Sequence, residues 1–114
     1  MNKKDLVQAF INNQKGRNHN AESYEINNKM CFRLYSTDIA VIEDGKLYLS
    51  TGGWETVTTK SYMNMILEEL GSRYAVHQMK GEWFWRDLTG QIFKFNGGGT
   101  IDLASGYIIS LITN

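Results

Sequence analysis

The sequence predicts an α+β domain: an antiparallel sheet of about six strands with two helices packed on one face. Three observations carry that expectation. Apolar residues recur at helical spacing in two short segments, near 3–14 and 60–70. The stretches between and after them alternate apolar and polar residues, with turn-forming pairs such as Asp44-Gly45 and Lys80-Gly81 at hairpin intervals. At 114 residues without proline, the chain is long enough for one core and too short for two, so residues 1–114 form one domain.

The first helix, about 3–14, is read from Leu6, Val7, Phe10 and Ile11, which fall on one side of a helix, with Gly16 standing where it would stop. Residues 16–23, Gly-Arg-Asn-His-Asn-Ala-Glu-Ser, show no periodicity and read as a mobile loop. Strands follow over about 30–50. Cys31, Arg33 and Tyr35 alternate with Phe32 and Leu34, Ile39 to Ile42 reads as a buried strand, and Asp44-Gly45 closes a hairpin onto Leu47 and Leu49. The second helix, about 60–70, rests on Met63, Ile66, Leu67 and Leu70, with Gly71 as its stop and Thr58 or Thr59 as its cap. A strand meander over about 73–112 completes the chain. Its parts are Tyr74 to Met79, Glu82 to Asp87, Gln91 to Phe95, a flexible Asn96-Gly97-Gly98-Gly99 loop, and an apolar segment from Tyr107 to Ile112. That last segment reads as a closing core strand, as a short helix end, or as an edge that pairs with a second copy, so a homo-oligomer is an open expectation.

Composition excludes several function classes. Lys and Arg number 12 and Asp and Glu number 12, which is neither a polybasic coat for nucleic acid nor an acidic mimic of it. The charge is uneven: residues 1–33 carry six cations against three acids, and residues 34–72 two against six. Such a distribution either steers a partner or is an ordinary solvated surface. Cys31 is the only cysteine, so no disulfide closes within the chain and a reducing cytoplasm is the expected location. No secretory apolar core follows the N-terminus, and no apolar run approaches the ~18 residues of a membrane span. One Cys with His19 and His77 far apart gives no metal-ligand spacing, and no cofactor motif is present, so neither metal nor cofactor is expected.

A Cys31/His77 nucleophilic pair is one conceivable enzyme, against the commoner role of cysteine as a small buried hydrophobe. Glu68 and Glu69 point about 100° apart on a helix, unsuited to paired acid and base work. Two aromatic clusters are more informative. In the first, Gly52-Gly53-Trp54-Glu55-Thr56-Val57-Thr58-Thr59-Lys60 sets an aromatic ring, hydroxyls and a cation at a helix start, where an anion docks favourably or a threonine simply caps. In the second, Trp83-Phe84-Trp85-Arg86, both tryptophans share one face of a strand. That face is either an outer platform flanked by Lys80 and Arg86 or part of the core.

The segment Tyr35-Ser36-Thr37-Asp38-Ile39-Ala40, a hairpin, Trp54-Glu55-Thr56-Val57-Thr58-Thr59-Lys60 and a helix containing Asn64 resemble small proteins widespread in bacteriophages and other mobile elements. Members of that group show an Ile-Ala strand, a short turn, and a Trp or Tyr before a Thr-Thr helix start. Gln78-Met79-Lys80-Gly81-Glu82-Trp83-Phe84 resembles their second hairpin, and the resemblance covers about residues 6 to 95. It brings no catalytic residue with it. What it implies is a small phage accessory protein and, by association, an inhibitor of a host defence machine of the anti-CRISPR or anti-restriction type, bound to a host protein or ribonucleoprotein complex.

The expectation is therefore a non-enzymatic binder acting by protein–protein contact, with Tyr48, Trp54, Thr58, Thr59, Lys60, Lys80, Trp83, Trp85 and Arg86 as candidate contacts. The alternative is a single-stranded nucleic-acid-binding module that stacks bases on the same aromatics, with Lys60, Lys80, Arg86 and Lys94 on the backbone.

Overall fold

The computed structural model describes residues 1–111 and confirms an α+β chain with two helices. Among the described residues the strands number ten, in two antiparallel sheets, instead of about six in one. Helix α1, Lys3–Ile11, is capped by Asn2, whose side chain accepts from the Asp5 amide at 2.8 Å. It ends three residues before the expected 14, because Asn12 closes it and Asn13 takes a left-handed φ of 58°.

The expected mobile loop at 16–23 is a hairpin of β1, Gly16–Arg17, with β2, Ala21–Ile26. Its polar residues build the turn. Asn18 Oδ1 accepts from the amides of Asn20 and Ala21, and Asn18 Nδ2 donates to the Tyr62 hydroxyl at 2.9 Å. Strands β3, Lys29–Leu34, β4, Thr37–Glu43, and β5, Lys46–Ser50, continue the meander. Asn27-Asn28 and Asp44-Gly45 supply the paired positive φ angles of tight hairpin turns, as the sequence predicts for the second.

Helix α2 runs Val57–Glu69. It starts earlier than expected because Thr56, not Thr58 or Thr59, is the cap: its Oγ1 accepts from the Thr59 amide at 3.1 Å. The chain then forms a separate sheet of β6, Tyr74–Met79, β7, Glu82–Asp87, and β8, Ile92–Lys94. Asn64 on α2 donates to the Val76 carbonyl and accepts from the Val76 amide, which satisfies the backbone of Val76 on the free edge of β6.

The chain next returns to the first sheet as β9, Gly98–Asp102, beside β5, followed by β10, Ile108–Ser110, giving the order β1-β2-β3-β4-β5-β9-β10. The glycine run is thus half strand, not a flexible loop. A Cβ on Gly99 would lie 2.8 Å from the Ser110 carbonyl oxygen, so glycine lets the β10 backbone approach β9, while Trp85 Cζ2 at 3.4 Å is in ordinary contact. The expected strand from Tyr107 to Ile112 is the short edge strand β10, and Ile112 lies outside the described residues.

One core joins both sheets and both helices. Helix α1 packs on α2, β2 and β3, while α2 packs on both β4 and β6, so α2 bridges the two sheets and the helices do not simply cover one face of a single sheet. Of the two readings of the Trp83 and Trp85 face, the core one holds: both rings are buried against Phe95, at separations of 5.7 and 4.7 Å, and neither is available as a candidate contact. The Tyr74 hydroxyl accepts from the Ile108 amide at 3.1 Å and ties the second sheet to the edge of the first.

Candidate functional site

Two connections meet at one end of the seven-stranded sheet. The β3–β4 turn is two residues long, Tyr35-Ser36, closed by the Leu34 and Thr37 pair. Tyr35 takes a φ of 55°, a left-handed conformation that costs an aromatic residue about 1–2 kcal/mol. Its amide donates to the Asn20 carbonyl at 2.7 Å, which fixes the turn against the β1–β2 hairpin. The ring is left 68% exposed.

Opposite it, buried Thr51 organises the chain leaving β5: its hydroxyl accepts from the Gly53 amide at 3.1 Å and its carbonyl from the Trp54 amide at 3.0 Å. Gly52 has a φ of 61°, and a Cβ there would fall 2.7 Å from Thr37 Cγ2, so only glycine lets this turn lie against the β4 start. The result holds Trp54 66% exposed. Between the two rings is a pocket of about 330 Å³, walled by Leu34, Ile39, Thr51, Thr56 and Thr59. No charged residue lines it. Thr59 is buried there, with its hydroxyl 3.0 Å from that of Thr56.

Of the sequence-predicted residues, the structure therefore brings Trp54 and Thr59 together and adds Tyr35 and Thr56. Lys60 is near in sequence but engaged elsewhere, its Nζ donating to Gln78 Oε1 on β6 at 2.8 Å. Thr58 is half-buried on the first turn of α2 and does not line the pocket. Tyr48 lies on the opposite face of the sheet, where Val41 and Thr100 are its register partners. Lys80 sits in the β6–β7 turn and Arg86 on the exposed side of β7. The aromatic beside Arg86 on that side is Phe84, because the tryptophans alternate inward. The alternation of Cys31, Arg33 and Tyr35 makes Tyr35 a strand residue by sequence, since nothing about tyrosine announces a left-handed turn.

Cys31 does not fit a nucleophile. It is buried under Tyr24, and burial pushes its thiol pKa up, which keeps it protonated. His77 belongs to the second sheet, on the Phe84 side that faces away from the core. Tyr24 is in turn held protonated, first by desolvation and then by its hydrogen bond to Asp38, while the Arg33 guanidinium lies 4.6 Å over its ring. Among the described residues no group of three or more His, Cys, Asp or Glu side chains could hold a metal ion, and no helix is long and apolar enough to cross a membrane.

No curated protein and no solved structure matches the chain. A family profile described as Kyanoviridae Gp96 protein matches residues 2–108, which takes in both helices, both sheets and both sides of the Tyr35–Trp54 pocket, and by that match the chain belongs to this family of phage proteins.

Proposed function

We propose that this phage protein works by binding and not by catalysis, and that its Tyr35–Trp54 pocket receives a large uncharged side chain of a host protein or ribonucleoprotein complex. The observation that carries this reading is the pair of two-thirds-exposed aromatic rings framing an uncharged pocket of about 330 Å³. Rigid aromatics around a desolvated hollow are the usual anchors of protein interfaces. Tyr35 is also held in an unfavourable backbone conformation, and strain of that kind concentrates where a surface must be preorganised. Inhibition of a host defence machine is the role that a small phage accessory protein of this kind suits best.

Charge supports a protein partner over single-stranded nucleic acid. No charged side chain lines the pocket, and Arg33, next in sequence to its Leu34 wall, is paired with Asp38 at 3.4 Å. Backbone binding by phosphate would need such cations free.

Affinity purification of the tagged protein from its host, with and without nuclease, tests the proposal alongside folded Trp54→Ala and Tyr35→Asn variants. A stoichiometric protein complex that survives nuclease and is lost with either variant supports it. Loss of every partner on nuclease treatment would replace it with the nucleic-acid reading, centred on Lys80, Phe84, Arg86 and Lys94. A complex retained equally by both variants would remove the pocket from the interface.

A further inference from the structure

The face of the seven-stranded sheet that points away from the core is open around a trough of about 590 Å³, lined among others by Val41, Lys46, Tyr48, Thr100 and Ile109. Strand register arranges this face in three rows. The central row crosses the sheet without a charge: Tyr24, Cys31, Val41, Tyr48, Thr100, Ser110. On one side runs Arg17, Glu22, Arg33, Asp38, and on the other Lys29, Glu43, Lys46, Asp102. Both flanking rows alternate in sign from strand to strand.

We propose that this face is a homodimer interface, in which a second copy of the chain lies face to face about a two-fold axis parallel to the strands and between β4 and β5. Such an axis reverses the strand order of the facing copy and leaves each row opposite itself. A row of even length and alternating sign is then its own complement. Lys29 meets the partner's Asp102, Glu43 meets the partner's Lys46, and both contacts occur twice by symmetry. In the central row Val41 meets the partner's Tyr48, and Tyr24 meets the partner's Ser110. Asp38 meets the partner's Ser50, and Arg33 the partner's Gly98, so no like charges are opposed.

Packed sheets cross at about 30°; with the crossing centred on the central row, Glu43 and Lys46 lie two residues, about 7 Å, along the strand and are offset by roughly 3–4 Å, within the reach of a lysine side chain. A row of one sign would have pointed to an oppositely charged partner. This pattern selects a second copy, and the equal numbers of acidic and basic residues in the chain remove any net repulsion between copies.

Sedimentation velocity on the full chain, from micromolar to several hundred micromolar, tests the interface. The wild type is expected to self-associate, less so at high salt. Lys46→Glu and Glu43→Lys, each checked for an unchanged circular dichroism spectrum, are each expected to weaken association by about tenfold, since two pairs become repulsive in either. The double variant Glu43→Lys/Lys46→Glu restores association, because the reversed pairs meet across the axis again. A wild type that stays monomeric throughout overturns the proposal. Association unaffected by either single variant also overturns it, and would place the contact at the β10 edge or elsewhere. Failure of the double variant to recover does the same.

Discussion

Trp54 and Trp85 are one residue type in two opposite situations. Trp85 is wholly buried, with Tyr74 and Phe95 at 6.0 and 4.7 Å and the Gly99 backbone beneath it, whereas Trp54 is 66% exposed at the edge of a pocket. Hydrophobicity is the same for both, so it does not decide the outcome. Trp85 belongs to a strand whose alternate side chains are committed to the core by the ladder, together with Trp83. Trp54 follows two left-handed glycines and a buried threonine whose hydrogen bonds hold the chain in a turn, and no ladder dictates its face. An aromatic on a regular element therefore contributes to stability, and one released by a built turn is available for binding.

The comparison is broken most severely on the buried side. Trp85→Ala removes the ring shared by both sheets and is expected to cost about 3–5 kcal/mol in denaturant unfolding, a large part of a small domain's stability. A loss below about 1 kcal/mol would mean the second sheet does not depend on this contact. On the exposed side, the turn matters more than the ring it carries. Gly52→Ala forces a left-handed alanine whose Cβ meets Thr37 Cγ2, for a loss of about 1–3 kcal/mol. Thr37 also lines the pocket, so partner capture should fall in the same variant; normal capture at reduced stability would separate the turn from the site.

Much of this contrast is legible in the sequence, and the unreadable parts have physical causes. The period of two over Trp83, Phe84 and Trp85 puts both tryptophans on one face, but one strand cannot say which face a second layer covers. The fold supplies that layer. Asp44-Gly45 announces its hairpin because both residues accept positive φ readily, and Lys80-Gly81 announces its own through the glycine, Lys80 taking a φ of 52° that lysine does not favour. Asn18 and Asn20 are read as loop for the same chemistry that lets Asn18 bind the Asn20 and Ala21 amides and close a hairpin. Gly98 and Gly99 are read as flexible because composition does not reveal that both pair with β5, or that the β10 backbone lies close against Gly99. Of the candidate site, Trp54 and Thr59 are visible, whereas Tyr35 is not: its left-handed turn follows from strand register, against its own preference.

That preference gives the next test a reversed sign. Tyr35→Asn keeps the left-handed turn with a residue that visits it readily, so stability should rise by about 1 kcal/mol, or roughly 4 °C in Tm. Partner capture should fall, since the ring is gone. A variant that loses stability would show that the tyrosine ring packs for the fold after all.

Trp54→Ala has the smallest expected effect on stability, within about 0.5 kcal/mol, because two-thirds of the side chain already faces solvent. It should still lower affinity for a captured partner by about 2 kcal/mol, the scale of an aromatic anchor. The pair of readouts is what gives this variant its value. Trp85→Ala would also abolish capture, but through unfolding, and binding alone cannot tell the two tryptophans apart. A folded Trp54→Ala protein with an unchanged melting curve and lost capture separates an exposed residue retained for recognition from one merely tolerated at the surface. If stability falls instead by as much as for Trp85→Ala, Trp54 is part of the core's support, and the distinction between the ladder and the turn fails at the residue on which it chiefly rests.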